Sequence, residues 1–210
     1  DMASVQAAAG FGKSLSAADF TGNGLAATDA AFSGDGKLSH SLDETIAIRT
    51  KFLTEYQNAA YARQYTDFVA KVRAGEQQHS PEFTGLTEAV AKYLFKLMAY
   101  KDEYEVARLY SSPAFLKQIA DTFEGDIKLH LNLAPPLFAK KDADGHLIKQ
   151  EFGAWALPAI KTLRHLKFLR GTALDVFGKT EERKMERALI EDYKRDIETV
   201  VSKLSVGNHV

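Results

Sequence analysis

The strongest constraint on the fold is a long stretch of helical periodicity that begins at Ser41. Ser41 and Glu44 have the spacing of a capping box, in which the serine accepts from a first-turn amide and the glutamate reaches back. Apolar residues then recur at three- and four-residue intervals, which predicts one long helix over about residues 42–75. Its apolar stripe is broad, so we expect more than one partner helix.

Four further segments carry helical patterns. They are residues 86–110, residues 112–125 after a Ser-Pro start signal, residues 155–169 before Gly171, and residues 180–204 with acidic residues in the first turn. In residues 86–110 the side chains expected to be buried are Val90, Tyr93, Leu94, Leu97, Met98 and Tyr104.

One segment has the period of a strand. Residues 126–133 alternate between apolar and polar side chains, which predicts a half-buried strand, and residues 146–150 are its predicted hairpin partner. The expected fold class is therefore mainly α, with about five helices in an irregular bundle and one small β-hairpin.

The first 40 residues differ from the rest of the chain. They hold 6 of the 14 glycines and only six charged residues, and turns are indicated at Gly22-Asn23-Gly24 and Gly34-Asp35-Gly36. We therefore predict that residues 1–40 are a flexible or docking N-terminal segment and that residues 41–206 are a helical domain.

Composition limits the chemistry available to the chain. The formal net charge is −1, which provides no general attraction to nucleic acid. There is no cysteine, so the chain offers no disulfide, no thiolate nucleophile and no cysteine ligand for zinc or an iron–sulfur cluster. No apolar run approaches the roughly 18 residues that span a bilayer, and no secretory signal opens the sequence. We expect a cytoplasmic protein with no nucleic-acid or membrane partner.

Three patterns resemble cofactor or metal motifs, and for each the simpler interpretation is favoured. Residues 34–36 read Gly-Asp-Gly, like the start of a thiamine-diphosphate motif, but the paired asparagines of that motif are missing. Residues 140–151 can be aligned with a calcium loop, but Lys140 occupies the position of an anionic ligand. His130 and His146 could meet across the hairpin, although solvated histidines are the default expectation. We predict no metal site and no cofactor in this chain.

A basic cluster is the main candidate binding site. The residues Lys161, Arg164, Lys167 and Arg170, with His165 among them, crowd one predicted helix and its end. They could hold the phosphates of coenzyme A or the carboxylate of a substrate. The alternative is an ordinary solvated face, on which the side-chain stems cover apolar surface.

Lys96 raises a second question, because apolar residues surround it in sequence. A buried catalytic lysine is one interpretation. However, Lys96 shares one side of its helix with Lys92 and Glu103, which favours an exposed polar stripe.

Several segments resemble the C-terminal part of the indolepyruvate ferredoxin oxidoreductase family in its large fused form. The resemblance covers about residues 41–204, and its most specific part is the 20-residue stretch that ends at Tyr110. The segments that carry it are residues 52–61 (FLTEYQNAAY), 91–110 (AKYLFKLMAYKDEYEVARLY), 123–126 (FEGD), 133–137 (LAPPL) and 169–178 (LRGTALDVFG), with Glu182-Arg183 and Glu186-Arg187 after them.

The resemblance implies a role as part of a larger enzyme. That family oxidatively decarboxylates aryl 2-oxoacids to acyl-CoA with thiamine diphosphate, magnesium and iron–sulfur clusters, and it passes electrons to ferredoxin. This chain lacks both the paired-asparagine motif and cysteine. The resemblance therefore implies a helical accessory domain that contacts other domains or subunits of the parent oxidoreductase and has no catalytic residue.

Two alternatives remain open at the level of sequence. The chain could be an element that binds coenzyme A or a substrate anion in the same enzyme, through the basic cluster. It could also be an independent helical module for protein interaction. If the chain is an accessory domain, we expect the isolated chain to have no oxidoreductase activity.

Overall fold

The computed structural model describes residues 5–8, 39–125, 128–133 and 150–208, the first of these as backbone. The chain divides into two compact units. The sheet unit comprises Asp1–Leu38 and Asp102–Lys167, and the helical unit comprises Ser39–Lys101 and Phe168–Val210.

The described residues form mainly helices, with a small antiparallel sheet, as the sequence predicted. In chain order the elements are β1 (Val5–Ala8), α1 (Leu42–Tyr56), α2 (Ala59–His79), α3 (Gly85–Met98), α4 (Glu103–Tyr110), α5 (Pro113–Thr122), β2 (Lys128–Leu133), β3 (Gln150–Phe152), a 3₁₀ turn (Ala154–Ala156), α6 (Leu157–Leu163), a 3₁₀ segment (Arg164–Leu169) and α7 (Glu181–Lys203). None of the described helices is both long and apolar enough to cross a membrane.

The two longest predicted helices were wrong as single helices, because each is interrupted by a capping side chain. Residues 42–75 fall into α1 and α2, and the side chain of Asn58 accepts a hydrogen bond from the amide of Tyr61 to begin α2. Residues 86–110 fall into α3 and α4, and Asp102 accepts from the amide of Glu105 at 2.8 Å to begin α4. Side chains of this type compete locally with helix continuation, which the apolar period does not reveal. The described residues therefore contain seven α-helices where about five were expected.

The other predicted helix starts agree closely with the structure. The Glu44 carboxylate reaches back to the amide of His40, one residue before the cap, so the predicted capping box is present only in part. The predicted serine cap is confirmed, since the Ser41 side chain accepts from the amide of Glu44. Ser112 and Thr180 cap α5 and α7 in the same way. The predicted helix over residues 155–169 is shorter than expected. Its α-helical part, α6, has Pro158 in its first turn, and 3₁₀ segments flank it.

The core of the helical unit lies among α1, α2, α3 and α7. Its largest fully buried side chains include Tyr56 and Tyr65, and Leu53 and Leu94 pack with them. The predicted buried side of α3 is confirmed for Val90, Leu94 and Met98, but Tyr93 is about half exposed.

Each of three tyrosines in this unit has a specific backbone partner. The hydroxyls of Tyr56, Tyr61 and Tyr65 donate to the carbonyls of Tyr100, Met98 and Ala91 at 2.8, 2.9 and 3.0 Å. Buried hydroxyls need such partners, and these three bonds fix α1 and α2 against α3 and the segment that follows it.

A buried carboxylate completes the start of α3. Thr84 stands at the helix start without a side-chain cap bond, and Glu76 of α2 supplies the acceptor in its place. Glu76 is 1% exposed and accepts from the amides of Leu86 and Thr87 and from the hydroxyl of Thr87. A negative charge at a helix N-terminus is favourable. The hydrogen bonds of Glu76 therefore connect α2 to the first turn of α3.

The sheet unit is built on a three-stranded antiparallel sheet in the order β1-β2-β3. The predicted strand and hairpin pairing are confirmed in that β2 pairs with β3, although β3 begins at Gln150, where the predicted arm ends. β1 lies within the segment that we predicted to be flexible or docking, and it pairs with β2. The rest of residues 1–38 lies outside the described residues, so the predicted boundary at residue 40 stays a prediction.

The side chains along β2 alternate between buried and more exposed positions, and the buried ones form part of the core of this unit. Leu129 and Leu131 are buried, and they belong to the same cluster as Ala107 of α4, Ile119 of α5 and Ile160 of α6.

Candidate functional site

The predicted basic cluster is divided between the two units. Lys161, Arg164 and Lys167 belong to the sheet unit, where Lys161 is exposed and the guanidinium of Arg164 donates to the carbonyl of Ser111 at 3.1 Å. Arg170 belongs to the helical unit and is only 3% exposed. Two of the four cations, Arg164 and Arg170, therefore already donate hydrogen bonds to backbone carbonyls. Anion binding by the cluster stays a prediction.

Arg170 is the first of two buried polar residues that fix the segment from Leu169 to Gly178, which we call the anchor loop. Its Nη1 donates to the carbonyl of Tyr56 at 2.6 Å, and its guanidinium lies 3.7 Å from the centre of the Tyr56 ring. A desolvated cation on an aromatic face is a strong interaction of its class. The N-terminal end of the loop is thereby fixed to the end of α1.

Asp175 is the second buried residue of the anchor loop, and it closes the loop on itself. Its carboxylate accepts from the amide of Gly171 at 2.7 Å and from the amide of Gly178 at 2.9 Å. Gly171 has φ +76°, a left-handed conformation that favours glycine. A side chain at Gly178 would collide with the Asp175 carboxylate, so glycine is required there for close approach.

The other end of the anchor loop is held by α7. Arg187 donates from Nη2 to the carbonyl of Gly178 at 2.6 Å, and its Nη1 is buried without a hydrogen-bond partner among the described residues. Charged side chains therefore fix the loop at its two ends, through Arg170 and Arg187, and in its middle, through Asp175.

Although it is fixed from inside, the anchor loop presents apolar side chains to solvent. Leu174 is 71% exposed and Val176 is 49% exposed, on either side of the buried Asp175. Phe168, directly before the loop, is also more than half exposed.

A second candidate site, which we call the cation pocket, lies in the helical unit. It is an open cleft with a volume of about 310 Å³. Its lining is Ser39, His40, Ser41, Leu42 and Thr45 at the start of α1, Arg49 further along α1, and Glu88 and Lys92 of α3.

Arg49 connects the cation pocket with the core. Its guanidinium lies 5.3 Å from the Phe95 ring centre, and its Nη1 is buried without a hydrogen-bond partner among the described residues. Burial raises the pKa of Tyr65 above its ordinary value, and the nearby positive charge of Arg49 partly opposes that rise.

The predicted polar stripe is confirmed as exposed for Lys92 and Lys96, but Glu103 lies on α4 and is only partly exposed. The ammonium groups of Lys92 and Lys96 lie 5.4 and 5.3 Å from the centre of the Tyr93 ring, on the solvent side of the helix. Of these two lysines, Lys92 lines the cation pocket.

The described residues contain no group of three or more histidine, aspartate or glutamate side chains placed to hold a metal ion. His130 of β2 contacts Glu151 of β3 through Nδ1, while His146 lies outside the described residues. The Gly-Asp-Gly motif at 34–36 and most of the calcium-loop pattern at 140–151 also lie outside them.

Comparison with known families gives one match. A family of unknown function, DUF6537, matches residues 42–210, which is most of the chain. The chain belongs to this family. No curated protein and no solved structure matches it. The DUF6537 match begins at the first residue of α1 and includes the whole anchor loop, together with Arg49, Glu88 and Lys92 of the cation pocket.

Sequence reasoning missed most of these site residues. Asp175 lies in residues 169–178, which carry part of the resemblance, but nothing in the sequence indicates its role. Arg49 lies in the helical pattern of residues 42–75, where one arginine on a broad helix face gives no signal of a site. The signal that pointed to the anchor loop was Gly171, since a glycine after a helical run indicates a left-handed end.

Proposed function

We propose that this chain is a helical scaffold and interface domain of an indolepyruvate:ferredoxin oxidoreductase, without a complete active site of its own. In this proposal the holoenzyme works in the cytoplasm and converts an aryl 2-oxoacid to its acyl-CoA by oxidative decarboxylation. The sequence resemblance over residues 41–204 supports the parent enzyme, and the anchor loop supports the interface role.

The anchor loop supports the proposal because its buried side is polar and hydrogen-bonded, whereas its exposed side is apolar. Inside, Arg170 and Asp175 are desolvated, which is costly unless each is bonded, and each of them is. Outside, the side chains of Leu174 and Val176 are exposed to solvent, and the backbone that carries them is fixed by the hydrogen bonds of Asp175.

Such an arrangement lowers the cost of association. A preorganised loop loses little conformational entropy on binding, and apolar side chains at the centre of an interface gain from desolvation. Single exposed apolar residues are common on protein surfaces. Here two of them flank a buried carboxylate in a segment that resembles the oxidoreductase family, which favours docking to a partner of that enzyme.

The composition of the chain indicates which part of the enzyme holds the cofactors. Iron–sulfur clusters are held by cysteine thiolates, and the chain has no cysteine. In this proposal thiamine diphosphate, magnesium and the clusters belong to other domains or subunits, and this chain braces them.

The first test reads the coding sequence around this chain. Thiamine-binding and cysteine-rich segments, in the same frame or in an adjacent gene, define the catalytic polypeptide and support the proposal. If both are missing, the chain is an independent helical module, and the proposal is wrong.

The second test uses that catalytic polypeptide with the purified 210-residue chain. We expect acyl-CoA formation only when the catalytic polypeptide is present, and we expect the two to co-purify. Replacing Leu174 and Val176 together by serine should weaken co-purification, whereas Val206→Ser, another exposed apolar residue outside the loop, should not. Equal binding by both variants would show that the loop is not the interface, and acyl-CoA formation by the isolated chain would contradict the whole proposal.

A further inference from the structure

The cation pocket contains two positive charges that have no carboxylate partner among the described residues. Neither Arg49 nor Lys92 forms an ion pair among the described residues. Arg49 contacts the Phe95 ring and the Tyr65 hydroxyl, and Lys92 contacts the Tyr93 ring. Other cations of the helical unit do have carboxylate partners, since Arg73 pairs with Asp43 at 2.6 Å. Positive charge in a cleft focuses the electric field and raises the local concentration of anions.

The acidic groups near the pocket are mostly engaged elsewhere. Asp43 is held by Arg73, and the Glu44 carboxylate accepts the amide of His40. Of the carboxylates, only Glu88 lines the pocket among the described residues, and one of its oxygens accepts from the hydroxyl of Thr84 at 2.8 Å. The lining therefore carries two fixed positive charges against one negative charge.

Arg49 adds a second observation. Its buried Nη1 has no acceptor among the described residues, and an unsatisfied charged N–H group costs more than a satisfied one. Negative charge brought into the adjoining pocket would offset part of that cost, because electrostatic interactions strengthen away from bulk water.

We propose that the cation pocket binds the phosphate group of a small ligand, with Arg49 and Lys92 as its cationic partners. A phosphate has several oxygens and up to two negative charges, so a guanidinium from α1 and an ammonium from α3 can contact it together. The pocket volume of about 310 Å³ exceeds that of the phosphate group and leaves room for an attached body. Glu88 is placed to accept a hydroxyl of that body. This inference is independent of the proposed interface role of the anchor loop.

The test titrates the whole 210-residue chain with inorganic phosphate and, separately, with glycerol phosphate, and follows binding by NMR. Tighter binding of the ester identifies a phosphorylated metabolite as the ligand, and equal binding identifies free phosphate. Both results support the site. Failure of both probes to bind at millimolar concentration overturns it.

Variants decide whether the named residues form the site. Lys92→Ala should weaken binding by about tenfold, the usual effect of one charged hydrogen bond. Lys96→Ala is the matched control, because Lys96 is also exposed beside Tyr93 but does not line the pocket, and it should leave affinity unchanged. Glu88→Gln should tighten the binding of inorganic phosphate, which has no attached body for Glu88 to contact, because it removes the negative charge from the lining. Equal weakening by the two lysine variants would show diffuse surface attraction and overturn the proposal.

Arg49 needs a variant that keeps the fold, since its guanidinium packs on Phe95. Arg49→Lys retains the charge and Arg49→Gln removes it. We expect weaker binding for glutamine than for lysine at equal thermal stability. The same affinity in both variants would contradict a direct role for the Arg49 charge.

Discussion

The helical unit and the sheet unit hold their cores by different means. In the described part of the chain, the buried cluster of the helical unit draws on four helices and includes Tyr56 and Tyr65, whose hydroxyls are bonded to backbone carbonyls. The buried cluster of the sheet unit is smaller, and its central members Leu129 and Leu131 depend on strand pairing.

The difference has a consequence for the local stability of the two units. A core tied by specific polar bonds fixes the surface above it, and the anchor loop is fixed in the same way, through Arg170 and Asp175. We therefore expect the helical unit to be the more stable and the sheet unit to open more readily, since local stability follows buried contacts.

The largest effect is expected from Leu94→Ala in the core of the helical unit. Leu94 is fully buried, so the variant should lose about 4 kcal/mol of unfolding free energy through lost burial and a cavity. Chemical denaturation measures this loss, and Lys96→Ala, an exposed neighbour, should change stability by less than about 0.5 kcal/mol. Similar losses for both variants would contradict the described burial of α3.

A somewhat smaller effect is expected from Leu131→Ala in the sheet unit. Leu131 stands in the middle strand opposite Val5 and Phe152, and its loss should cost about 3 kcal/mol. Hydrogen exchange should show the loss of protection in β2 while α7 keeps its own. Loss of protection in both units together would mean that they unfold as one, and the comparison would fail.

Glu76→Gln tests the polar joint between α2 and α3. Glutamine keeps the shape but replaces one acceptor oxygen by a donor that faces a backbone amide. We expect a loss of about 2 kcal/mol, together with faster exchange in the first turn of α3. Unchanged exchange there would show that the carboxylate does not hold the start of the helix.

The smallest of these effects concerns alkaline pH. Burial raises the pKa of Tyr65 above the ordinary value of 10.0, so the folded state holds the proton more tightly than the unfolded state does. Stability should be constant below about pH 10 and should fall as pH rises further, towards the pKa of the folded state. Tyr65→Phe should lower stability at neutral pH by about 1 kcal/mol and reduce the alkaline decline. Denaturation midpoints measured up to about pH 11 check both, and an undiminished decline in the variant would assign it to other groups.

The sequence contained enough information to predict the fold class and most helix starts. Ser41, Ser112 and Thr180 stand before apolar-periodic segments, and all three act as caps. The breaks at Asn58 and Asp102 could not be found in this way, because apolar periodicity continues on both sides of each. Only tertiary packing decides whether such a residue caps a new helix or stays inside an old one.

The candidate sites were harder to predict for a related reason. Arg170 stands in a basic run that reads as solvated, yet it is buried on Tyr56, a residue 114 positions earlier in the chain. Pairing between β1 and β2 is likewise non-local. Contacts of this kind depend on the assembled fold and leave no periodic signal along the chain.

The central claim is that the anchor loop docks this chain onto a catalytic polypeptide, and a hydrogen-exchange footprint tests it most directly. The whole chain is compared with and without the catalytic polypeptide encoded beside it. The account predicts new protection over residues 169–178 and its loss when Leu174 and Val176 are both replaced by serine, with Val206→Ser behaving like the unchanged chain. Binding that leaves exchange over residues 169–178 unaltered would contradict the account.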